Sequence, residues 1–151
     1  MVEERDQGDA AGFAAGESGS HGRVEMWREG SVIRVEAAGP FNLEAVRALG
    51  AAWIRLFSAL PLEGGYAEFT TIRGSLIASP DAIAAFRKLL YSNNASGRAP
   101  RAVAWVVGAE VEGGRLMLPM FAEIHAEARR VFRAFDAIDE ADRWLRERLL
   151  E

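Results

Sequence analysis

Six consecutive apolar residues at positions 102–107 restrict the fold of this chain more than any other feature of its sequence. A strand with one face in water alternates apolar and polar side chains, whereas a strand covered on both faces is apolar throughout. Ala102–Val107 is therefore predicted to be an inner strand of a sheet that carries structure on both faces. Sheets of this kind are typical of α/β proteins, in which helices cover them.

The segment before this run predicts a β-hairpin followed by a helix. Two short alternating stretches flank a turn at Glu29–Gly30, and Ile33 and Val35 in the second stretch share one side. After Pro40 the apolar residues recur at intervals of three and four, which is typical of a helix, and Asn42 is placed to cap its start.

The rest of the chain alternates strands with helices. Strand patterns cover 66–72 and 131–135, and helix patterns begin at Ser79–Pro80, at Leu116 with Pro119 in the first turn, and near Ala137. The predicted order is β-β-α-β-α-β-α-β-α. This order indicates an α/β fold in which helices pack on a mixed sheet and right-handed crossovers join the parallel strands.

The first 22 residues differ in composition from the remainder. Residues 1–22 are rich in Gly, Ala, Ser and acidic residues and hold few large apolar side chains. Such a segment buries too little surface to offset the entropy of ordering it, so we interpret it as a disordered N-terminal tail, with a partner-binding arm as the alternative. Residues 23–151 are predicted to form one domain.

Charge and composition exclude several classes of function. The net charge of −4 argues against nonspecific binding of nucleic acid, which needs clustered positive charge. The chain has no cysteine, which excludes disulfides, thiolate metal sites and cysteine nucleophiles and fits a reducing compartment. No apolar run reaches the roughly 18 residues of a transmembrane helix, and the acidic N-terminus does not resemble a secretory signal. We therefore expect a cytoplasmic protein without a transmembrane segment.

The residues needed for catalysis are not arranged in a recognisable pattern. Glu123 and Glu127 lie two positions from His125, so they do not share its face of the helix and are poorly placed to bind a metal with it. We therefore interpret His125 as a surface residue. A Gly-x-Ser-x-Gly elbow is missing, and the paired glycines lack the spacing and lysine of a phosphate-binding loop. The sequence predicts a protein that is not an enzyme and uses no cofactor or metal.

Three stretches carry a family resemblance. They are the strand and turn 32–41, the strand 103–107, and the closing strand 131–136 with the acid–Ala–x–x–Trp–Leu stretch that follows it at 140–145. With the order of elements, they resemble the SpoIIAA-like branch of the STAS superfamily, the fold of bacterial anti-sigma-factor antagonists. The resemblance covers roughly residues 23–151. It implies a sheet flanked by helices and a non-catalytic, regulatory role in binding a protein partner.

The chain departs from that family at its regulatory serine. Anti-sigma-factor antagonists carry an Asp-Ser-Ser-Gly-type motif where a helix begins, and a partner kinase phosphorylates its serine. Here the region 73–81 has no aspartate directly before a serine, no paired serines and no glycine after them. Ser79, and less strongly Ser75, remain candidates for phosphorylation, although Ser79 followed by Pro80 and Asp81 is also typical of a helix cap.

Three further predictions concern surfaces and pockets. Trp53, Met117 and Phe121 are candidates to line an apolar pocket, and the likeness of the family's fold to CRAL-TRIO lipid carriers suggests the alternative of a small carrier or sensor of a hydrophobic ligand. The hairpin edge and an exposed face of Trp27 suggest a homodimer. The arginines near two strand starts are interpreted as solvating residues, with a cationic rim for an acidic partner or lipid headgroup as the alternative: Arg98, Arg101, Arg129, Arg130 and Arg133.

Overall fold

The computed structural model describes residues 22–59 and 65–150, which form a five-stranded sheet and four helices. The strands are β1 (Arg23–Glu29), β2 (Val32–Ala38), β3 (Ala67–Arg73), β4 (Ala102–Val107) and β5 (Phe132–Phe135). The helices are α1 (Leu43–Ala59), α2 (Pro80–Ala95), α3 (Gly114–Glu127) and α4 (Ile138–Leu149). The predicted order of elements is confirmed. The predicted tail, apart from Gly22, lies outside the described residues.

The sheet is mixed and its strands lie in chain order, β1-β2-β3-β4-β5. The hairpin pairs β1 and β2 antiparallel, while β2, β3, β4 and β5 are parallel neighbours. Each parallel connection therefore crosses over through one helix to the adjacent strand. Crossovers of one hand that advance in one direction place their helices on the same face of the sheet.

The two faces of the sheet are covered differently. The large side chains of α1, α2 and α3 pack on the face that holds Ile33, Val35 and Trp105. The opposite face packs small residues of β3 and β4 against Ala141 and Leu145 of α4. No helix in the described part of the chain is long and apolar enough to cross a membrane.

The run 102–107 is covered on both faces, as its composition predicts. Every residue of β4 is buried, and so is every residue of β3 except Arg73. In β2, by contrast, burial alternates along the strand: Ile33 and Val35 are buried, and Arg34 and Glu36 are only partly so. The alternating pattern therefore indicates a strand with one face partly exposed, as in β2, and the unbroken apolar run indicates a strand buried on both faces, as in β4.

Side chains cap the first two helices. The Oδ1 of Asn42 accepts a hydrogen bond from the backbone N–H of Ala45 at 3.0 Å, and the Oγ of Ser79 accepts one from Ala82 at 3.3 Å. Each bond satisfies one of the N–H groups that have no partner at a helix start. The two caps predicted from the sequence are confirmed.

The predicted start of α3 is wrong by two residues. The helix begins at Gly114, so Pro119 lies beyond its first turn and removes the N–H that would bond to Arg115. The cause lies in packing: Gly114 is buried against Val107, at a distance that leaves little room for a side chain. The apolar pattern placed the start at Leu116, which is exposed in the structure.

The edge strand β1 does not present Trp27 to solvent. The indole is buried, and its Nε1 donates a hydrogen bond to Glu29 at 3.0 Å. The prediction of an exposed tryptophan is therefore wrong, because the ring lies over the sheet beside Arg34, its neighbour in β2. Trp27 therefore does not support the predicted homodimer.

The C-terminal end of α3 is held in an unusual conformation. Arg129 has φ of 60°, the left-handed region that glycine usually occupies after a helix. The N–H of Arg130 donates to the carbonyl of His125 and the N–H of Arg129 donates to Ala126, which completes a Schellman-type ending. A non-glycine residue in this region costs roughly 1–2 kcal/mol.

We expect Arg129→Gly to raise the free energy of unfolding by about 0.5–1 kcal/mol, because glycine removes this strain at some cost in unfolded-chain entropy. Urea denaturation measures the change. Arg129→Ala is the control, because it removes the side chain and keeps the strain. An equal gain in both variants would contradict the backbone explanation.

Candidate ligand-binding cavity

A cavity of about 80 Å³ lies between the sheet and the helices α1, α2 and α3. Its wall is almost entirely apolar. The partly exposed residues of the wall, among them Val46 and Leu49 of α1 and Phe86 and Leu89 of α2, lie where these two helices face each other. The cavity therefore opens toward solvent between α1 and α2.

One end of the cavity is polar, and we call it the polar end. It is formed by Glu68 and Thr70 of β3, Asn93 of α2, His125 of α3, and Arg130, which precedes β5. Glu68 and Thr70 point to the same face because side chains alternate along a strand. Since Glu68 is the second residue of β3, the polar end lies at the amino ends of the parallel strands.

Arg130 is the buried cation of the polar end, with a side chain only 2% exposed. Its Nε donates to the Oδ1 of Asn94 at 3.2 Å and its Nη2 donates to the backbone carbonyl of Leu90 at 3.2 Å. Asn94 in turn donates to the carbonyl of Ala128 at 2.9 Å. These bonds join the C-terminal halves of α2 and α3.

The prediction that Arg130 is exposed, as a solvating residue or as part of a cationic rim, is wrong. The residue is buried, whereas Arg101, Arg129 and Arg133 are exposed and Arg98 is partly exposed. The left-handed turn at Arg129 reverses the chain after α3, so that Arg130 points under α2 rather than toward solvent. Sequence position alone could not show this turn.

Glu68 is the buried carboxyl of the polar end. Its Oε1 lies 4.0 Å from Nη1 of Arg130, which is too long for a hydrogen bond. Burial raises the pKa of the Glu68 carboxyl above 4.5, and the attraction of Arg130 opposes that shift. Because both groups lie largely out of water, each depends on the other to compensate its charge.

Tyr66 adjoins this pair just before β3. Its ring packs against Trp53 and Phe57 of α1, and its hydroxyl donates to the backbone carbonyl of Arg98. Burial, with the nearby Glu68 carboxylate, raises the pKa of the Tyr66 hydroxyl far above its ordinary range, so that the group remains an uncharged donor.

The interpretation of His125 as a surface residue is wrong, since the side chain is 1% exposed. The residues that share its face of the helix, three and four positions away, include Phe121 and Ala128, and both are buried. An apolar face turns toward the core and takes the histidine with it. The same spacing argument that excluded a metal site therefore also indicated burial.

Aromatic rings surround the His125 imidazole. It stacks on Phe132 at 4.2 Å between ring centroids and meets Phe86 and Trp105 edge to face. Its Nδ1 lies 2.8 Å from the carbonyl of Phe121, which makes Nδ1 the protonated donor of a neutral ring. Burial lowers the pKa of His125 to about 4, the hydrogen bond to Phe121 opposes the shift, and the charge of Arg130 adds to it.

The candidate pocket residues do not all line the cavity. Trp53 and Phe121 are part of its wall, whereas Met117 is buried elsewhere in the same core. The apolar periodicity that selected these residues identifies the inner face of a helix. It does not distinguish a side chain at a void from one in close packing.

The two candidate serines lie in different surroundings. The hydroxyl of Ser75 is buried and accepts a hydrogen bond from the N–H of Ile77. Ser79 is partly exposed, and besides capping α2 its hydroxyl donates to Asp81 at 2.6 Å. A phosphate on Ser79 would lie beside that carboxylate, which opposes the attraction of the helix start.

Sequence reasoning missed Glu68 and the two asparagines at the end of α2. A signal was present, because the strand before its terminal Arg73 is otherwise apolar or hydroxylic, and a glutamate in such a strand is rarely buried without a partner. In the described part of the chain, no group of three or more His, Cys, Asp or Glu could hold a metal ion.

We expect the imidazole of His125 to show no titration in NMR spectra between pH 8 and pH 5, because its pKa lies near 4. His21, outside the described residues, supplies the second histidine signal. A His21→Gln variant leaves the signal of His125 alone. A titration midpoint near 6.5 would contradict the burial of the ring.

The same shift predicts how stability depends on pH. The unfolded histidine takes up a proton near pH 6.5 and the folded one near pH 4. The free energy of unfolding therefore falls as the pH decreases through this window, by up to ~3 kcal/mol from His125. Glu68 contributes the opposite trend above pH 4.5: its raised pKa lets the folded state keep a proton that the unfolded state has lost, so its contribution to the free energy of unfolding falls as the pH rises. We expect His125→Phe, followed by urea denaturation, to remove the histidine contribution and retain that of Glu68.

Comparisons with protein-family models, with curated proteins and with solved structures found no match to this chain.

Proposed function

We propose that this chain binds a small, mainly apolar ligand in the cavity and acts as its carrier or sensor. One observation carries the proposal: an apolar cavity that opens between two helices ends at a buried group of polar side chains. Ligand sites are typically concave and apolar with a few converging polar groups. A core without a ligand has no need of such a void, since interiors normally pack to the density of organic crystals.

The size of the cavity limits the ligand. An engineered apolar cavity of ~150 Å³ holds one benzene molecule. With about 80 Å³, this cavity accommodates only a few carbon atoms in the described conformation. A longer ligand would continue between α1 and α2, where Gly50 of α1 lies close to Leu89 of α2.

We further propose that the role is binding rather than catalysis. Ser79 and His125 are the polar residues that a nucleophilic mechanism would use. They lie apart, since Ser79 caps the start of α2 and His125 is surrounded by rings near the end of α3. The hydroxyl of Ser79 bonds to Asp81 rather than to a histidine base.

Ligand binding predicts an effect on thermal stability that depends on the cavity. Native mass spectrometry of the freshly purified chain should show a small bound molecule, and xenon under pressure should raise the melting temperature relative to helium at the same pressure, because a ligand that binds only the folded state stabilises it. We expect Ala82→Leu, which fills the cavity, to abolish the xenon effect.

Ala84→Leu makes the same change on the exposed side of α2 and should leave the effect of xenon intact. Ala45→Leu fills the cavity from α1 and provides a second variant if Ala82→Leu fails to fold. A clean apo mass together with no shift in melting temperature would refute the proposal.

A second proposal is a STAS-like regulatory domain that binds a protein partner, as the family resemblance implies. It is supported by exposed apolar side chains at the carboxyl ends of the strands. Leu116 is 74% exposed, and Gly113, three residues before it, lies against the partly exposed Ile77. Ser79 follows Ile77 by two residues. Solvent-exposed apolar groups near a helix start are common in docking surfaces.

Leu116→Asp should abolish a cross-linked complex that the wild-type chain forms in a native lysate, because a charge at this site opposes apolar contact. Leu150→Asp changes a leucine that is exposed after α4 and should have no effect. A complex that forms equally with both variants would exclude this surface as the docking site.

A further inference from the structure

The polar end contains donors and acceptors that other described residues leave without hydrogen bonds. Arg130 donates through Nε and Nη2, and no described residue accepts from its Nη1. The carboxyl oxygens of Glu68 and the Nε2 of His125 also receive no hydrogen bond within the described part of the chain. All three residues line the cavity, so a ligand group that forms these hydrogen bonds is favoured over one that cannot.

The charges of the polar end favour an uncharged ligand group. Arg130 favours the ionised form of Glu68, in which the two side chains form a pair with no net charge, and the neighbouring His125 is neutral above its low pKa. Tyr66 beside them is uncharged, and Arg98 lies partly exposed over the ring of Phe57. A bound anion or cation would add an uncompensated charge to this buried site, which is costly.

We propose that the polar end is a subsite for an uncharged ligand head that both accepts and donates a hydrogen bond, an alcohol or a primary amide. The inference rests on the proposed ligand-binding function. The head accepts from Nη1 of Arg130 and donates to the Glu68 carboxylate. An oxygen about 2.8 Å from each atom fits between them, because the two atoms are 4.0 Å apart.

The ligand class follows from both ends of the cavity. The head binds at the amino ends of the strands, and the apolar body lies along the wall of Trp105, Phe86 and Leu89 toward the opening between α1 and α2. A straight, flexible chain suits this path. The geometry thus assigns to the site a neutral single-chain amphiphile, with the head inward and the chain outward.

The test compares six-carbon probes on the full chain at pH 7 by isothermal titration calorimetry. The probes are 1-hexanol, its isomer methyl pentyl ether, hexanoate and hexylammonium. The ether accepts a hydrogen bond but cannot donate one, so it isolates the contribution of Glu68. We expect 1-hexanol to bind at least about tenfold more tightly than each of the others, as one hydrogen bond to a charged group is worth roughly 1.5–3 kcal/mol.

Glu68→Gln should reverse the preference for charge. The variant keeps the shape of the side chain and leaves Arg130 without its counter-charge, so hexanoate should become the tightest of the four probes. Glu123→Gln, on the exposed side of α3, is the matched control and should retain the wild-type order.

The outcomes separate this inference from the proposed function. Equal affinity for 1-hexanol and the ether would overturn the subsite and leave the cavity proposal intact. Tighter binding of hexanoate to the wild type would overturn the uncharged head. If no probe binds and xenon has no effect, both proposals fail. The wild-type series decides the question even if Glu68→Gln does not fold.

Discussion

The buried Arg130 holds together the region in which α2, α3 and β5 meet the sheet. It bonds to the carbonyl of Leu90 and to Asn94, Asn94 bonds to the end of α3, and Glu68 of β3 lies within ion-pair distance. A buried charge is stable only when its surroundings compensate it, and here the compensating groups come from different elements. The requirement to satisfy one guanidinium therefore fixes how these elements are placed relative to one another.

The two faces of the sheet explain why the cavity lies where it does. On the face of α4, β3 and β4 present alanines such as Ala67, Ala102 and Ala104, which allow the helix to pack closely. On the other face, large rings such as Trp105 and Phe121 keep the helices farther from the strands. Rigid rings cannot fill every gap between three helices and a twisted sheet, which accounts for the void on this face.

The fold could be predicted because its signals lie among residues that are close in sequence. The polar end of the cavity could not be predicted, because its residues are far apart in sequence. The unbroken run at 102–107 and the caps Asn42 and Ser79 depend on neighbouring residues, and each is confirmed. Glu68 and Arg130 come together only in the folded chain, and no periodicity connects them. The burial of His125 was missed because the sequence argument considered only whether the glutamates near it could help to bind a metal. The residues three and four positions away share its face of the helix, and their apolar character determines that the ring is buried.

Open α/β sheets usually bind ligands at the carboxyl ends of their strands, where loops can vary without disturbing the core. Here the polar end lies at the opposite edge, among side chains that also hold the interior together. To accept a different head group, such a site would need substitutions of side chains within the core itself. In the proposed site, selectivity and folding thus depend on the same side chains, so a substitution that alters the one is expected to alter the other.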